Sequence, residues 1–300
     1  MKKICFIASN RVHLARQQLL LKELEKHFKI TIFQPQERKD GMASSSILYS
    51  VEFNNFLINN EFDYILARGD RYEVLPMVMV ASYKGIPVIH IEGGDLSGMI
   101  DNKVRYAITH LSDYHFVTNK ESHTRLVNVG VPLDRIWNFG SLDVEFASKV
   151  EPKKLRNKNY ILVAYHPTYN EDENELDKAL QSFKKYDIIR IGSNRDAGRE
   201  YGEDTFSPED YINLMRGAKV LVGNSSSLLK EASILGVGVV LVGDRQNKRL
   251  MPKNIVQVPC EADKIKLAIK YQLGNKYDPD TIYFNEDTSI EIAQKLMEIL

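Results

Sequence analysis

The fold of this chain is indicated first by the sequence VLVGNSSS at residues 220–227. The three apolar residues have the length of a short buried strand, and the apolar positions from Leu228 to Leu235 predict a helix that follows. A strand that passes through a Gly-Asn turn into a helix is typical of an α/β sheet. Hydroxyl groups at the start of that helix suit an anion, because the first backbone N–H groups of a helix have no partner within it. An ordinary serine N-cap explains the same residues equally well.

Short apolar segments alternate with amphipathic helical patterns along the rest of the chain, as in YILA at 64–67 followed by GDRYE at 69–73. The strands that we predict lie near residues 3–8, 29–33, 63–67, 87–91, 114–117, 160–164, 187–191, 219–222, 238–242 and 254–257. In the second half, we predict helices near 173–185, 208–216, 226–235 and 261–272. This alternation predicts parallel sheets that are covered by helices on both faces.

The strands fall into two groups, separated by a polar, proline-containing segment around residues 146–159. We therefore expect an α/β chain of two Rossmann-like, doubly wound domains that face each other across a cleft. The expected boundaries are 1–150 for the first domain, 151–286 for the second, and 287–300 for a C-terminal helix that packs back towards the first. Ligands of such sheets bind outside the carboxyl ends of the strands, where the polar motifs of this chain lie.

The composition excludes several classes of partner. Forty basic and forty acidic residues cancel, so no field of one sign points to nucleic acid or to an anionic membrane. The two cysteines form no disulfide framework, and no apolar segment approaches the length of a membrane span or of a signal-peptide core. The seven histidines show no metal-ligand spacing. We expect a soluble cytoplasmic protein that needs no metal and no cofactor.

Candidate functional residues follow the strands of the first domain. Arg11 follows the first strand and offers a guanidinium to a phosphate or a base, although a solvated arginine in a turn is an equal alternative. Asp70 and Arg71 follow the third strand, where a structural ion pair between them is the alternative to a role in chemistry.

A further group follows the fourth strand. Glu92 precedes two glycines, whose missing side chains would leave room for a ligand. His90 alternates with Glu92 and is alternatively a buried histidine beneath the loop. Asp101 opens the next predicted helix, and a role as its N-cap explains it completely.

The second domain adds candidates at the ends of its own strands. His166 ends a strand and precedes a proline, and Asn194 follows the next strand. Glu231 lies one turn inside the helix after GNSSS, where it is placed either to bind a ribose diol or to face solvent. Arg245, in the sequence GDRQ at 243–246, adds a cationic group.

Taken in order, these motifs resemble those of the hydrolysing UDP-N-acetylglucosamine 2-epimerases, which release N-acetylmannosamine for sialic acid synthesis. The strongest segments are GDRYE at 69–73, HIEGGDLSGMIDNKVRYAITHLSDYH at 90–115, GNSSSLLKE at 223–231 and GDRQNKR at 243–249. Weaker ones are SNR at 9–11, HPT at 166–168 and GSNRDAG at 192–198. The resemblance implies a fold like that of the B-type glycosyltransferases, a nucleotide-sugar substrate of the UDP-N-acetylglucosamine type, and a homo-oligomer, dimer or tetramer, joined through helices of the first domain.

The resemblance also implies a mechanism, in which UDP is eliminated from the sugar and the resulting glycal is hydrated. Its acid–base groups would be Asp70, Glu92 and His166, with Asp101 in the same cluster. The nucleotide would be held by Arg11, Ser225, Ser226, Ser227, Glu231 and Arg245. The sugar side would be faced by Arg71 and Asn194.

This chain departs from the family at several positions. Asn102 stands where the family has a second acid, a role that Asp95 is placed to assume, and Tyr106 and Arg68 stand where histidines are common. The chain is also shorter than the family, with apparent losses around residues 35–46 and between residues 166 and 210. A glycosyltransferase on the same scaffold and a non-catalytic nucleotide-sugar binding protein are therefore the alternatives.

Overall fold

The computed structural model describes residues 1–8, 14, 16–38, 41–97, 101–168, 173–192 and 206–300, with only the backbone described at residues 101 and 173. The described chain divides into two compact units, one formed by Met1–Phe146 with Asn285–Leu300 and the other by Ala147–Phe284. Each unit contains one sheet in which every strand pairs in parallel with its neighbours. The prediction of an α/β chain with two parallel, Rossmann-like sheets is confirmed.

The first unit has a six-stranded sheet with helices on both faces. Its strands are β1 (Lys3–Ile7), β2 (Lys29–Phe33), β3 (Tyr64–Arg68), β4 (Val88–Ile91), β5 (Tyr114–Val117) and β6 (Ile136–Asn138). Its described helices are α1 (Gln18–Glu25), α2 (Gly41–Ile58), α3 (Val74–Tyr83), α4 (Asp101–His110), α5 (Lys120–Asn128), α6 (Leu142–Lys149, whose last residues lie in the second unit) and, at the C-terminus, α11 (Thr288–Ile299).

The second unit has a five-stranded sheet. Its strands are β7 (Tyr160–Ala164), β8 (Asp187–Arg190), β9 (Val220–Gly223), β10 (Val239–Val242) and β11 (Ile255–Val258). Its described helices are α7 (Glu173–Leu180), α8 (Pro208–Gly217), α9 (Lys230–Leu235) and α10 (Ala262–Leu273). A 3-10 turn, Ser226–Leu228, stands between β9 and α9.

Both sheets have the same strand order. The first sheet runs β2-β1-β3-β4-β5-β6 and the second runs β8-β7-β9-β10-β11. In each case the order reverses between the unit's first and third strands, so the connections from these two strands leave in opposite directions. A crevice opens at such a point, and ligands of doubly wound sheets bind there. The candidate positions in each unit are therefore the loops after β1 and β3, and after β7 and β9.

The core of the first unit lies on both faces of its sheet, because successive side chains of a strand point to opposite faces. Ile4 and Phe6 of β1 pack with α1 and with the C-terminal helix, whereas Cys5 and Ile7 pack with α2 and α3. The C-terminal helix is also anchored by polar contacts, since the buried Glu145 carboxylate accepts hydrogen bonds from the N–H and hydroxyl of Ser289.

The sequence-based expectations fail at a few elements of the first unit. The ten predicted strands are present, each within one residue of its expected ends, but β6 was not predicted. The 18-residue helix α2 begins at Gly41, within the segment where the sequence suggests a loss relative to the family. Helix α2 has apolar side chains both on its exposed face, as at Ile47 and Val51, and on its buried face, as at Phe53, so it lacks the 3.6-residue periodicity by which surface helices are recognised.

The helix predicted over residues 226–235 is interrupted. The Ser226–Leu228 turn and the six-residue α9 take its place. No helix in the described parts of the chain is both long and apolar enough to cross a lipid bilayer.

The turn after β9 depends on a glycine. Gly223 has φ of 143°, and a Cβ atom there would lie 2.1 Å from the main-chain oxygen of Ala164 on the paired strand β7. Replacing Gly223 by alanine should lower the free energy of unfolding by about 3 kcal/mol, because backbone strain and a clash with fixed main-chain atoms add together. Urea denaturation followed by circular dichroism measures this loss.

The matched control is Gly85→Ala. Gly85 also has a positive φ of 69°, but no atom lies within 4 Å of the position that a Cβ would take there. The free energy of unfolding of Gly85→Ala should fall by only about 1 kcal/mol, which is the cost of placing a non-glycine residue in the left-handed region. Equal losses in the two variants would show that the contact with Ala164 does not matter.

Candidate functional site

A buried guanidinium lies at the carboxyl end of β3. The Arg68 side chain is 6% exposed, and its Nη2 lies 3.0 Å from Glu92 Oε1 and 2.7 Å from Asp143 Oδ2. Burial by itself lowers the pKa of Arg68, but the carboxylates of Asp143 and Glu92 outweigh burial and raise it. Arg68 is therefore a permanent cation that holds one carboxylate from the loop after β4 and another from α6.

Glu92 has an unusual backbone conformation. Its φ is 64°, in the left-handed region, and its carboxylate Oε1 also accepts a hydrogen bond of 3.1 Å from Ser141 Oγ. A non-glycine residue in this region costs on the order of 1–3 kcal/mol, which the surrounding contacts must offset. Such strain is concentrated at functional sites.

The two glycines after Glu92 are explained by packing within the protein. A Cβ at Gly93 would lie 2.8 Å from the ring nitrogen Nδ1 of His90, and a Cβ at Gly94 would lie 2.5 Å from the main-chain oxygen of Ser122. The expectation that these glycines leave room for a ligand is therefore wrong at the positions that their Cβ atoms would take, since His90 and Ser122 occupy them. The protein fills that space itself.

Asp70, the second predicted acid, forms an ion pair with Arg105 of α4. The Arg105 side chain is 3% exposed, and its Nη1 donates to the main-chain oxygen of Asp95 at 2.8 Å and to Asn102 Oδ1 at 2.7 Å. Asp70 and Arg71 therefore do not form the ion pair considered from the sequence. The Arg71 guanidinium instead contacts both carboxylate oxygens of Glu73 at 2.8 to 3.3 Å.

Asn102, at the position of the missing family acid, binds the backbone of Ser97. Its Oδ1 accepts from the Ser97 N–H at 2.9 Å, and its Nδ2 donates to the Ser97 carbonyl at 2.5 Å. An aspartate could not make the second bond, because an ionised carboxylate only accepts. The suggested substitute, Asp95, is buried and accepts a 2.8 Å hydrogen bond from Ser122 Oγ.

Two buried histidines lie beneath this region. His90 Nε2 is 2.9 Å from the carbonyl oxygen of Gly69, which can only accept, so Nε2 carries the proton. Burial lowers the pKa of His90 to about 4, and burial together with the neighbouring His90 lowers the pKa of His115 to about 3. Both rings are neutral at pH 7, as expected for the structural role considered for His90.

In the second unit, Asn224 joins the ends of β7 and β9. Its Oδ1 accepts from the His166 N–H at 2.7 Å, and its Nδ2 donates to the His166 carbonyl at 2.8 Å. The main-chain oxygen of Asn224 in turn accepts from Arg245 Nη1 at 3.1 Å and from Gln246 Nε2 at 2.7 Å. The structure thus brings His166, GNSSS and Arg245 together at the reversal point of the sheet.

The serines of GNSSS continue into a chain of hydroxyl groups. Ser225 Oγ lies 3.0 Å from Ser227 Oγ, which lies 2.6 Å from the phenol oxygen of Tyr211. The backbone N–H groups of Asn224 and Ser225 both donate to the main-chain oxygen of Ala164, so they are not offered to an anion. The predicted regular helix is replaced here by the Ser226–Leu228 turn, and the anion site at its start stays a prediction.

Glu231 lies on α9 with 2% of its surface exposed. The alternative of a solvent-facing helix residue is therefore wrong. Arg11 and Asn194 lie outside the described residues, as does the side chain of Asp101. Among the residues that are described, no group of three histidine, cysteine or acidic side chains is placed to hold a metal ion.

Sequence reasoning misses several residues of these networks. Asp143 and Tyr211 belong to no motif, and only the fold shows that they contact Arg68 and Ser227. Arg68 stands out in the sequence as a departure from the family, but its partners do not. A charged residue inside an otherwise apolar strand is the available signal, because a buried charge must be paired.

The chain is similar in sequence to known proteins. A family model described as UDP-N-acetylglucosamine 2-epimerase matches residues 11–297. A UDP-N-acetylglucosamine 2-epimerase of Neisseria meningitidis serogroup B is 34% identical over 257 residues, 76% of this chain and 68% of that protein. A GDP/UDP-N,N'-diacetylbacillosamine 2-epimerase (hydrolyzing) of Campylobacter jejuni is 30% identical over 276 residues, 79% of this chain and 72% of that protein.

The fold is shared with solved structures. The crystal structure of Methanocaldococcus jannaschii UDP-GlcNAc 2-epimerase in complex with UDP-GlcNAc and UDP matches with a TM-score of 0.83 at 18% identity, over 99% of both chains.

The two buried histidines predict an acid-sensitive fold. Their pKa values lie below the ordinary 6.5, so below that pH the unfolded chain binds protons that the folded chain does not. Stability should fall as the pH is lowered from 7 to 5, by about 2 kcal/mol for each histidine. In His115→Gln the fall should be smaller by that amount when urea unfolding is measured at both pH values.

The control is His27→Gln, at an exposed position. This variant should retain the pH dependence of the unmodified chain. If His115→Gln also retains it, protonation of the buried ring does not contribute.

Proposed function

The chain belongs to the UDP-N-acetylglucosamine 2-epimerase family, and we propose that it is a hydrolysing member, which converts UDP-N-acetylglucosamine or a close 2-acetamido relative to UDP and the free 2-epimer. For UDP-N-acetylglucosamine the product is N-acetylmannosamine. The observation that carries the proposal is the pair of carboxylates, Glu92 and Asp70, which follow adjacent strands and are each held by a buried arginine.

The proposed reaction has two stages. A base removes the proton from C2 of the sugar while the bond from C1 to the UDP oxygen breaks, which gives UDP and a 2-acetamidoglucal. Water then adds to C1, and C2 takes a proton on the opposite face. The chemistry needs several acid–base groups around one ring and donors that stabilise the leaving diphosphate.

The first unit supplies the proposed acid–base groups. The arginine partners of Glu92 and Asp70 favour their ionised forms, because an adjacent positive charge stabilises a carboxylate. An ionised carboxylate is suited to accept the C2 proton. His166 is proposed as a further acid–base group, and Asp101 and Arg71 are proposed to face the same sugar.

The second unit supplies the proposed nucleotide site. Ser225 and Ser226 are half-buried, so their hydroxyls are open to a ligand, and Ser227 orients Ser225 from behind. Arg245 is held against Asn224 at the same point and is proposed to bind the diphosphate. Glu231 is proposed to bind the ribose, while Arg11 and Asn194 are proposed for the phosphate and the sugar.

The proposed setting is the cytoplasm, in a route that produces a sialic acid or a related sugar. Cys5 and Cys260 are not joined in a disulfide, as is usual where the compartment is reducing. The relative from Campylobacter jejuni is a hydrolyzing 2-epimerase of GDP/UDP-N,N'-diacetylbacillosamine, which supports the reaction class.

The reaction is tested by proton NMR of the protein with UDP-N-acetylglucosamine in deuterated water. We expect UDP and N-acetylmannosamine with deuterium at C2, because the proton removed from C2 is replaced from solvent. Glu92→Gln and Asp70→Asn should each lower kcat by about 100-fold or more, since each removes a proton-transfer group.

The matched control is Asp177→Asn, a half-exposed acid in the second unit that pairs with Arg190. It should keep the activity of the unmodified enzyme. Release of UDP only when an acceptor is added would favour a glycosyltransferase, and a product still linked to UDP would contradict the hydrolysing reaction. Tight binding of UDP without turnover of UDP-N-acetylglucosamine or of nucleotide-linked 2,4-diacetamido sugars would favour a binding protein.

We also propose that the chain assembles as a homo-oligomer through α2. Ile47, Val51 and Ile58 lie on one face of this helix and are 68%, 53% and 65% exposed. The opposite face is buried against the sheet, so α2 is apolar on both sides. A helix of that kind is normally covered on both sides, and a second copy of the chain is the proposed cover.

Val51→Glu should weaken this assembly. A carboxylate buried between apolar helices loses its hydration, so the dissociation constant should rise by at least about tenfold. Light scattering after size-exclusion chromatography measures the molecular mass across a dilution series. Leu267→Glu, at an exposed apolar position on α10, is the control and should leave the mass unchanged. A monomeric unmodified chain would contradict the proposal.

A further inference from the structure

Glu92 and Asp143 share one nitrogen of one guanidinium. Arg68 Nη2 is 3.0 Å from Glu92 Oε1 and 2.7 Å from Asp143 Oδ2, and the Arg68 side chain is 6% exposed. Because the same Nη2 serves both carboxylates, each of them reduces the positive charge that the other experiences. The shorter of the two contacts is made to Asp143.

The position of the Glu92 carboxylate is fixed from several sides. Arg68 approaches Oε1 from β3, and Ser141 Oγ donates to the same oxygen at 3.1 Å from the turn before α6. The backbone of Glu92 is held in the left-handed region, and its N–H donates to the Phe116 carbonyl at 2.7 Å. These contacts restrain both the backbone and the side chain.

Within the described residues, the charged and titratable groups around this cluster include four side chains from different parts of the first unit. They are Arg68 of β3, Asp143 of α6, His90 of β4 and, 3.9 Å from Asp143, Arg16 just before α1. Burial lowers the pKa of His90 to about 4, so this ring carries no charge at neutral pH. Two charged groups among these therefore act on Glu92. They are the Arg68 guanidinium, which contacts Glu92 directly, and the Asp143 carboxylate, which is shared between Arg68 and Arg16.

On the basis of the function proposed above, we propose that Arg68 and Asp143 are positioning residues that together set how readily Glu92 accepts a proton. Arg68 keeps Glu92 ionised and holds its carboxylate in one position. Asp143 pairs with the same guanidinium and partly offsets its positive charge. Glu92 is therefore more basic than it would be if it were the only carboxylate paired with Arg68. Neither residue needs to touch the sugar.

Two substitutions should move the pH profile in opposite directions. In Arg68→Gln the stabilising charge is lost, so the acidic limb of kcat/KM should move up by about 1 to 3 pH units. In Asp143→Asn the competing charge is lost and Glu92 takes the whole guanidinium, so the limb should move down by about 1 pH unit. A purely structural role would lower activity in both variants without this opposite pair of shifts.

The double variant Arg68→Gln with Asp143→Asn covers the case in which Arg68→Gln fails to fold. It removes one positive and one negative charge. Only the Glu92 carboxylate then lacks the Arg68 cation, whereas both Glu92 and Asp143 lack it in the single variant, so the double variant should fold more readily. Its acidic limb should also move up. Arg190→Gln and Asp177→Asn are matched controls, because these residues form an Arg–Asp pair at the same 2.7 Å in the second unit and should not move the limb.

A measurement without substrate separates this proposal from the proposed function. Carbon-13 NMR of protein labelled at glutamate carboxyls follows the titration of Glu92, and Glu92→Gln identifies its resonance by removing it. We expect the Glu92 midpoint to rise in Arg68→Gln and to fall in Asp143→Asn. Shifts in the same direction, or no shift, would overturn the proposal even if the enzyme is active. An absence of turnover with these opposite shifts would instead overturn the proposed function alone.

Discussion

In each sheet the chain leaves two adjacent strands in opposite directions, between β1 and β3 in the first unit and between β7 and β9 in the second. No helix can cover the carboxyl ends of both strands at that point, so a crevice forms there. The polar groups of the backbone and side chains at the crevice must then form hydrogen bonds or ion pairs with one another. The polar network of the second unit lies at these ends, and that of the first unit starts at the end of β3 and extends to the loop after β4.

The two units meet the constraint with different chemistry. The first unit uses charge, with Arg68 and Arg105 each nearly buried and each holding a carboxylate. Taking such ions out of water is costly, and an apolar core of the same size would often be as stable or more stable. The charges are therefore better explained by what they do to Glu92 and Asp70 than by stability. The second unit uses mainly amide and hydroxyl groups, with the Arg245 guanidinium as a cation beside them.

Much of this organisation was predictable from the sequence, because buried strands are short apolar runs whose ends are marked by glycine. The strands and the polar residues that follow them were found in this way. Partners far apart in sequence were not predictable. Asp70 stands next to Arg71, yet its ion pair is with Arg105, which a helix brings to it. Asp143 was not predicted because it belongs to no motif, and only the folded chain brings it to Arg68.

The two asparagines show how the units resemble each other in detail. The side chain of Asn102 binds the backbone of Ser97, and that of Asn224 binds the backbone of His166. Each donates one hydrogen bond and accepts another. Only an amide makes both bonds at neutral pH, since a carboxylate has no donor. At position 102 the side chain therefore fixes a loop through its hydrogen bonds. The loop it fixes carries Asp95, whose main-chain oxygen accepts from Arg105. Since Arg105 also donates to Asn102 and is the partner of Asp70, Asn102 contributes to the positioning of Asp70.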